Sequence, residues 1–231
     1  MHWHARQRWL AAASAAAIVT MVAFCVFLSV AAALYPGGNA FVDDDRGFDL
    51  WRNFWTDLMR PVALGGQPNV VGSRLAIAGA LAFAASLLLF WWAAPDAFRA
   101  RTWLRRCVRV LAVLTAATLV GVPPGLLGVP HEPAIFLAAI FGGGASCATL
   151  VGFAGAPDLP RVIVALGAAA LASTLIGLGL FARDVMAGEP LSIATPVMQK
   201  VATVFIVAWV LSGCAHQLRT SRARLCEARS R

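Results

Sequence analysis

Residues Leu75–Ala94 read LAIAGALAFAASLLLFWWAA, twenty residues without a charge, and their length decides the fold. A helix rising about 1.5 Å per residue covers about 30 Å over such a run, the thickness of a bilayer's hydrocarbon core. The run is apolar on every side, as a segment facing lipid and other helices must be. Five more runs share this character, at Leu10–Leu34, Val108–Leu127, Ala134–Phe153, Val162–Phe181 and Val197–Ala215. The third is the least regular, because Pro123, Pro124 and Gly125 interrupt its end. The expected fold is an all-α polytopic bundle of six transmembrane helices forming one integral membrane domain over residues 1–231.

Composition agrees. Of 231 residues, 60% are hydrophobic and only 13% are charged, against about a quarter charged in soluble domains. The net charge of +8 would suit a nucleic-acid partner, but the charges lie in short segments flanking the apolar runs. With the N-terminus inside, the inner segments carry 13 basic and three acidic residues and the outer segments six basic and eight acidic. That is +10 inside and −2 outside, a positive-inside bias that places both termini in the cytoplasm. Eighteen arginines against one lysine, with heavy Ala and Gly usage, read as the codon bias of a GC-rich bacterium, so the inner membrane is the expected location. The apolar run after Met1–Arg8 is longer than the 7–15 residues of a signal-peptide core and reads as a retained helix. Gln217–Arg231 reads as a polybasic tail resting on anionic lipid. Cys25, Cys147 and Cys214 lie in the helices and Cys107 and Cys226 at the inner side, so no outer disulfide or zinc site is expected.

The first outer loop, residues 35–74, holds most of the remaining information. Asp49, Arg52, Asn53, Thr56, Asp57 and Arg60 recur at helical spacing, opposite Phe48, Leu50, Trp51, Phe54, Trp55, Leu58 and Met59. The pattern predicts an amphipathic interfacial helix over Gly47–Arg60, stopped by Pro61. Its plain role is an anchor across the bundle with a solvated polar face. The sharper reading is a ligand-binding stripe, since its mixed charge differs from the Lys/Arg-rich face of a simple lipid-surface helix.

Tyr35-Pro36-Gly37-Gly38, Asn53-Phe54-Trp55-Thr56-Asp57-Leu58 and Gly66-Gln67-Pro68-Asn69 resemble an uncharacterised bacterial family of six-helix membrane proteins. That family is similar in layout, remotely, to the damage-regulated autophagy modulator group. The likeness runs over most of the chain, but only the first loop and Gln199-Lys200 are distinctive. It implies a six-helix bundle with a shared outer-loop site and brings no assigned activity with it.

Other polar residues fall at the same outer side. His131-Glu132-Pro133 opens the fourth helix, with Pro and an acid where a helix start favours them. The alternative makes His131 or Glu132 a proton-handling group beside Asp57. Lys200 is the only lysine, near the start of the sixth helix. It either snorkels to the headgroups or, with Gln199, holds a phosphate, a carboxylate ligand or Asp57. A retinal Schiff base is disfavoured by six helices rather than seven. Gly142-Gly143-Gly144 reads as a loosened stretch of the fourth helix. Rows such as Ala76, Ala80 and Ala84 suit close helix packing. No charge lies at mid-membrane, and no HExxH, GxSxG or Walker motif is present.

These residues support a non-enzymatic membrane protein that binds a lipid or small amphiphile at an outward-facing site built from Arg52, Asn53, Asp57, His131, Glu132, Gln199 and Lys200. Transport, sensing or envelope organisation would be its use. The expected partners are membrane lipids, with a membrane protein or a second copy as a further expectation, and no nucleic acid, metal or cofactor. The alternatives are a membrane-embedded lipid hydrolase or transferase using Asp57, His131 and Glu132, and a scaffold subunit.

Overall fold

The computed structural model describes residues 3–42, 46–98, 102–123, 131–156, 158–186 and 191–227. Six α-helices run among them: α1 Trp3–Leu34, α2 Val70–Ala93, α3 Thr102–Val120, α4 His131–Ala154, α5 Arg161–Met186 and α6 Ala194–Glu227. All but α3 are long and apolar enough to cross a membrane, as a multi-pass membrane protein requires. The third helix is nineteen residues long, with Arg105, Arg106 and Arg109 in its first two turns. Of the expected third run, residues 108–120 are helical, and residues 124–127 lie outside the described part. The other five runs lie inside observed helices, save Ala94 just past the end of α2, and the helices extend beyond them.

Each helix packs against its neighbours in sequence, and the circuit closes where α1 packs on α6. The result is a ring of antiparallel neighbours. One end carries the loop between α1 and α2. At the other, the start of α1, the turn after α2 and the end of α6 meet: Arg6 pairs with Asp96 at 2.5 Å, and the Gln217 amide donates to the Ala93 carbonyl at 3.1 Å. These are the loop end and the terminal end.

Small residues make the helix contacts. Ala76, Ala80 and Ala84 of α2 are buried, and the Ser86 hydroxyl donates across to the Ala17 carbonyl of α1 at 2.8 Å. Gly167 of α5 lies under Trp209 of α6, where a Cβ would stand 2.6 Å from the indole, and Gly152 lies under Phe98. The triple glycine does not loosen α4, which is continuous from His131 to Ala154. Gly142 and Gly144 instead admit Thr115, Trp91 and Leu111 from α2 and α3.

At 32 and 34 residues, α1 and α6 are about 50 Å long, well beyond a bilayer core. Their overhang is at the terminal end. The expected polybasic tail is helical over its described part, since α6 continues through Gln217 to Glu227, and Ser221 is buried in that extension. The basic turns of α3 grip the same end. Arg105 donates to the Phe98 carbonyl, while Arg109 lies 5.6 Å from the Trp92 ring centre and 3.7 Å from Asp96.

Candidate functional site: a cavity under the first loop

The first loop is knitted by asparagines and glycines. Gly38 has a φ of +84°, and a Cβ there would lie 2.1 Å from the backbone nitrogen of Gly65, so no side chain fits. The two glycine pairs cross at this point, and the Gly65 N–H donates to the Gly37 carbonyl at 3.2 Å. Asn39, Asn53 and Asn69 are all buried, and each ties backbone together. The Asn39 side chain accepts from the Phe41 and Val42 N–H groups. Asn53 donates to the Gly38 carbonyl at 2.8 Å and accepts from the Asp49 N–H at 2.8 Å. Asn69 donates to the Leu58 and Arg60 carbonyls.

No amphipathic α-helix forms over Gly47–Arg60. A turn at Leu50–Arg52 is followed by a short 3-10 helix, Trp55–Met59. The cause is local competition for backbone N–H groups. Asp49 takes those of Trp51 and Arg52, Asn53 takes that of Asp49, and Asp57 takes that of Phe54 at 2.8 Å. The expected faces are partly inverted: Leu50 and Trp51 are exposed, whereas Asn53 and Asp57 are buried.

Lys200 does not snorkel outward, and its ammonium is engaged by backbone carbonyls. It is buried, donating to the Asn53 and Pro196 carbonyls. Its ammonium lies 5.6 Å and 5.2 Å from the ring centres of Phe48 and Trp55, which stack on each other. Its neighbour Gln199 accepts from the Trp55 N–H at 2.9 Å. The Gln199-Lys200 pair therefore fastens the loop to α6, and the cation–π contacts add to the hold. Arg52 lies at the loop surface beside Asp49, at 3.8 Å.

Beneath the fastened loop is a cavity of about 870 Å³, within the range of small-molecule sites. Its walls bring together four of the seven expected site residues, Asp57, His131, Glu132 and Gln199. Arg52, Asn53 and Lys200 are not on them. Phe24, Phe83, Leu119, Ile135, Leu178 and Ile206 supply apolar wall. Arg60, a member of the polar stripe seen in the sequence, also lines it, as does Asp184, which the sequence did not single out. The Asp184 carboxylate is held by Arg183 at 2.6 Å, the Thr195 hydroxyl at 2.6 Å and the Ser192 N–H at 3.0 Å, which closes the joint between α5 and α6.

Asp57 is 6% exposed, with Oδ2 accepting from the Phe54 N–H and the Asn53 amide. Among the described residues no hydrogen bond reaches Oδ1. Burial raises its pKa above the usual carboxylate value, opposed by those two donors and by the charges of Arg60 and Lys200. The Nδ1 of His131 lies 2.6 Å from the Val122 carbonyl. A carbonyl only accepts, so Nδ1 carries the proton and Nε2 of the neutral ring is an acceptor. Among the described residues, no cluster of His, Cys, Asp and Glu could hold a metal ion, and the cysteines are free.

A smaller cavity, about 360 Å³, lies at the terminal end, between the start of α1, the turn after α2 and the extension of α6. No family model, curated protein or solved structure matches the chain.

Proposed function

We propose that the chain is a six-span protein of a bacterial inner membrane, with both termini cytoplasmic, that holds a lipid or small amphiphile in the cavity under its first loop. In this orientation the loop end is periplasmic and α3 is the sixth span, its arginines at the cytoplasmic surface where the positive-inside rule favours them. The observation that carries the reading is the wall of the large cavity: apolar side chains from the helices together with Asp57, Arg60, His131, Glu132 and Gln199. Such a wall suits a molecule with one apolar and one polar end. Transport, sensing and envelope organisation are the uses that fit. The loop residues also support placing the chain with the six-helix family it resembles, whose common feature would then be this knitted loop.

The test is native mass spectrometry of protein released gently from its membrane, with bound molecules identified after dissociation. Wild type carries a stoichiometric amphiphile, and Ala139→Phe, which fills the cavity from α4, loses it. Wild-type protein with an empty cavity contradicts the proposal, and a co-purifying polypeptide in its place favours a scaffold subunit.

A second reading, a lipid hydrolase or transferase, draws on Asp57, His131 and Glu132 lining one cavity. It requires release of a cleaved or transferred headgroup from a supplied lipid, abolished by His131→Ala.

A further inference from the structure

The polar groups on the large cavity's wall are mostly acceptors. The hydroxyl protons of Ser173, Thr174 and Thr203 are spent on carbonyls of their own helices, so towards the cavity these side chains offer lone pairs. His131 directs its one proton to Val122 and keeps Nε2 as an acceptor. Asp57 is more than nine-tenths buried, and Oδ1 has no partner among the described residues. Glu132 is exposed at the start of α4, and no ion pair or hydrogen bond engages its carboxylate among the described residues. Asp184 is already satisfied. On the donor side stand the exposed guanidinium of Arg60, the Trp55 indole N–H, which is buried without a partner among the described residues, and the Gln199 amide NH₂, whose oxygen is taken by the Trp55 backbone N–H. Asp57 Oδ1 and the Glu132 carboxylate are thus open to the cavity that their residues line, so the occupant that fits them brings N–H donors and positive charge.

Resting on the amphiphile reading above, we infer that the occupant's polar end is a primary ammonium, carried on an apolar chain. A quaternary ammonium carries the same charge but has no N–H to give Asp57 Oδ1, Glu132 or His131 Nε2. An anionic head meets the Asp57 and Glu132 carboxylates on the same wall. A primary ammonium could belong to a lipid headgroup or to a free long-chain amine, and both present the same three donors.

The experiment uses the full-length protein in phosphatidylcholine nanodiscs and measures binding of four single-chain probes. These are lysophosphatidylethanolamine, lysophosphatidylcholine, dodecylamine and dodecyl sulfate. The two lysolipids differ only in methylation of the nitrogen. Tighter binding of lysophosphatidylethanolamine than of lysophosphatidylcholine, by about tenfold, supports the inference and assigns the ammonium to a lipid. The same preference for dodecylamine over dodecyl sulfate, without lysolipid binding, supports it and assigns a free amine. In either case Glu132→Gln, on the exposed turn of α4, reduces the preference severalfold while the protein still binds. Equal affinity within each pair overturns the ammonium assignment and leaves the amphiphile reading standing. Binding of none of the four, by wild-type protein whose loop resists proteolysis, overturns the amphiphile reading itself.

Discussion

Asp57 does two things that substitutions can separate. Its Oδ2 accepts two hydrogen bonds that hold the 3-10 turn, and its charge sits in a buried place. Asp57→Ala leaves both donors unpaired and should cost about 1–3 kcal/mol, seen as a lower melting temperature. Asp57→Asn keeps an acceptor and removes the charge, so the fold should be retained with stability within about 0.5 kcal/mol of wild type or higher. The two also differ in their response to pH. Because burial raises the Asp57 pKa, the native state holds a proton that the unfolded chain releases at its ordinary value of about 3.9. Between that value and the folded pKa, stability therefore falls as pH rises, and above the folded pKa the loss is complete. Melting wild type and Asp57→Asn across this range should show wild type losing ground as pH rises. A difference that is flat, or of opposite sign, would contradict the burial of an ionisable Asp57.

Lys200 is the complementary case, a buried cation that ties the loop to α6. Lys200→Met keeps the stem in place but withdraws the donor from the Asn53 and Pro196 carbonyls. Amide hydrogen exchange over residues 48–60 should then rise by about tenfold or more, with α2 unchanged. An unaltered loop would show that the pin is dispensable. Neither role was legible in the sequence. Asn53 and Asp57 fall four apart, and that spacing reads as a helical stripe, because periodicity registers neighbours and not the distant Gly38 carbonyl that Asn53 actually binds. For Lys200 the sequence offered the Asp57 carboxylate as a loop partner, whereas a backbone carbonyl such as that of Asn53, 147 positions away, leaves no mark in a sequence.

Among the elements, the helices were readable because a run of about 20 apolar residues has few alternatives to spanning. The limits lay at their ends. Hydropathy marks where a helix meets water and cannot show that α1 and α6 continue into it as a packed pair. The small-residue rows were readable as packing surfaces, as buried Ala76, Ala80 and Ala84 show, though which partner each would meet was not. Gly167 is the sharpest instance, since its missing side chain seats the rigid indole of Trp209. Gly167→Ala should cost about 1–3 kcal/mol by overpacking, while Gly179→Ala on the same helix, with open space at its Cβ, should be neutral or slightly stabilising. Equal melting temperatures for the two would contradict the close approach of α5 and α6.

For the whole molecule, the ring divides its chemistry by ends. Arginines crowd the terminal end around Asp96, and the large cavity lies under the loop at the other. The proposed orientation has a direct consequence for native cysteines. Cys107 and Cys226 are exposed, at the start of α3 and in the overhang of α6. A membrane-impermeant thiol reagent should label both in inside-out vesicles and neither in right-side-out ones. Cys147, exposed on mid-α4, should resist the reagent from either side because lipid covers it. Labelling of Cys226 from outside would reverse the topology and move the cavity to the cytoplasmic face.

Whether the cavity under the loop holds an amphiphile is decided by photolabelling with a single-chain amphiphile carrying a diazirine in its tail, followed by peptide mapping. The expected result is saturable labelling of the cavity walls, on α4 around Ile135–Ala139 and on α5 around Ser173–Phe181, competed by unlabelled amphiphile and lost in Ala139→Phe. Unsaturable labelling spread over outward-facing side chains such as Val22, Val26 and Val204, which are exposed on α1 and α6, would show only a protein dissolved in its lipid and would contradict it.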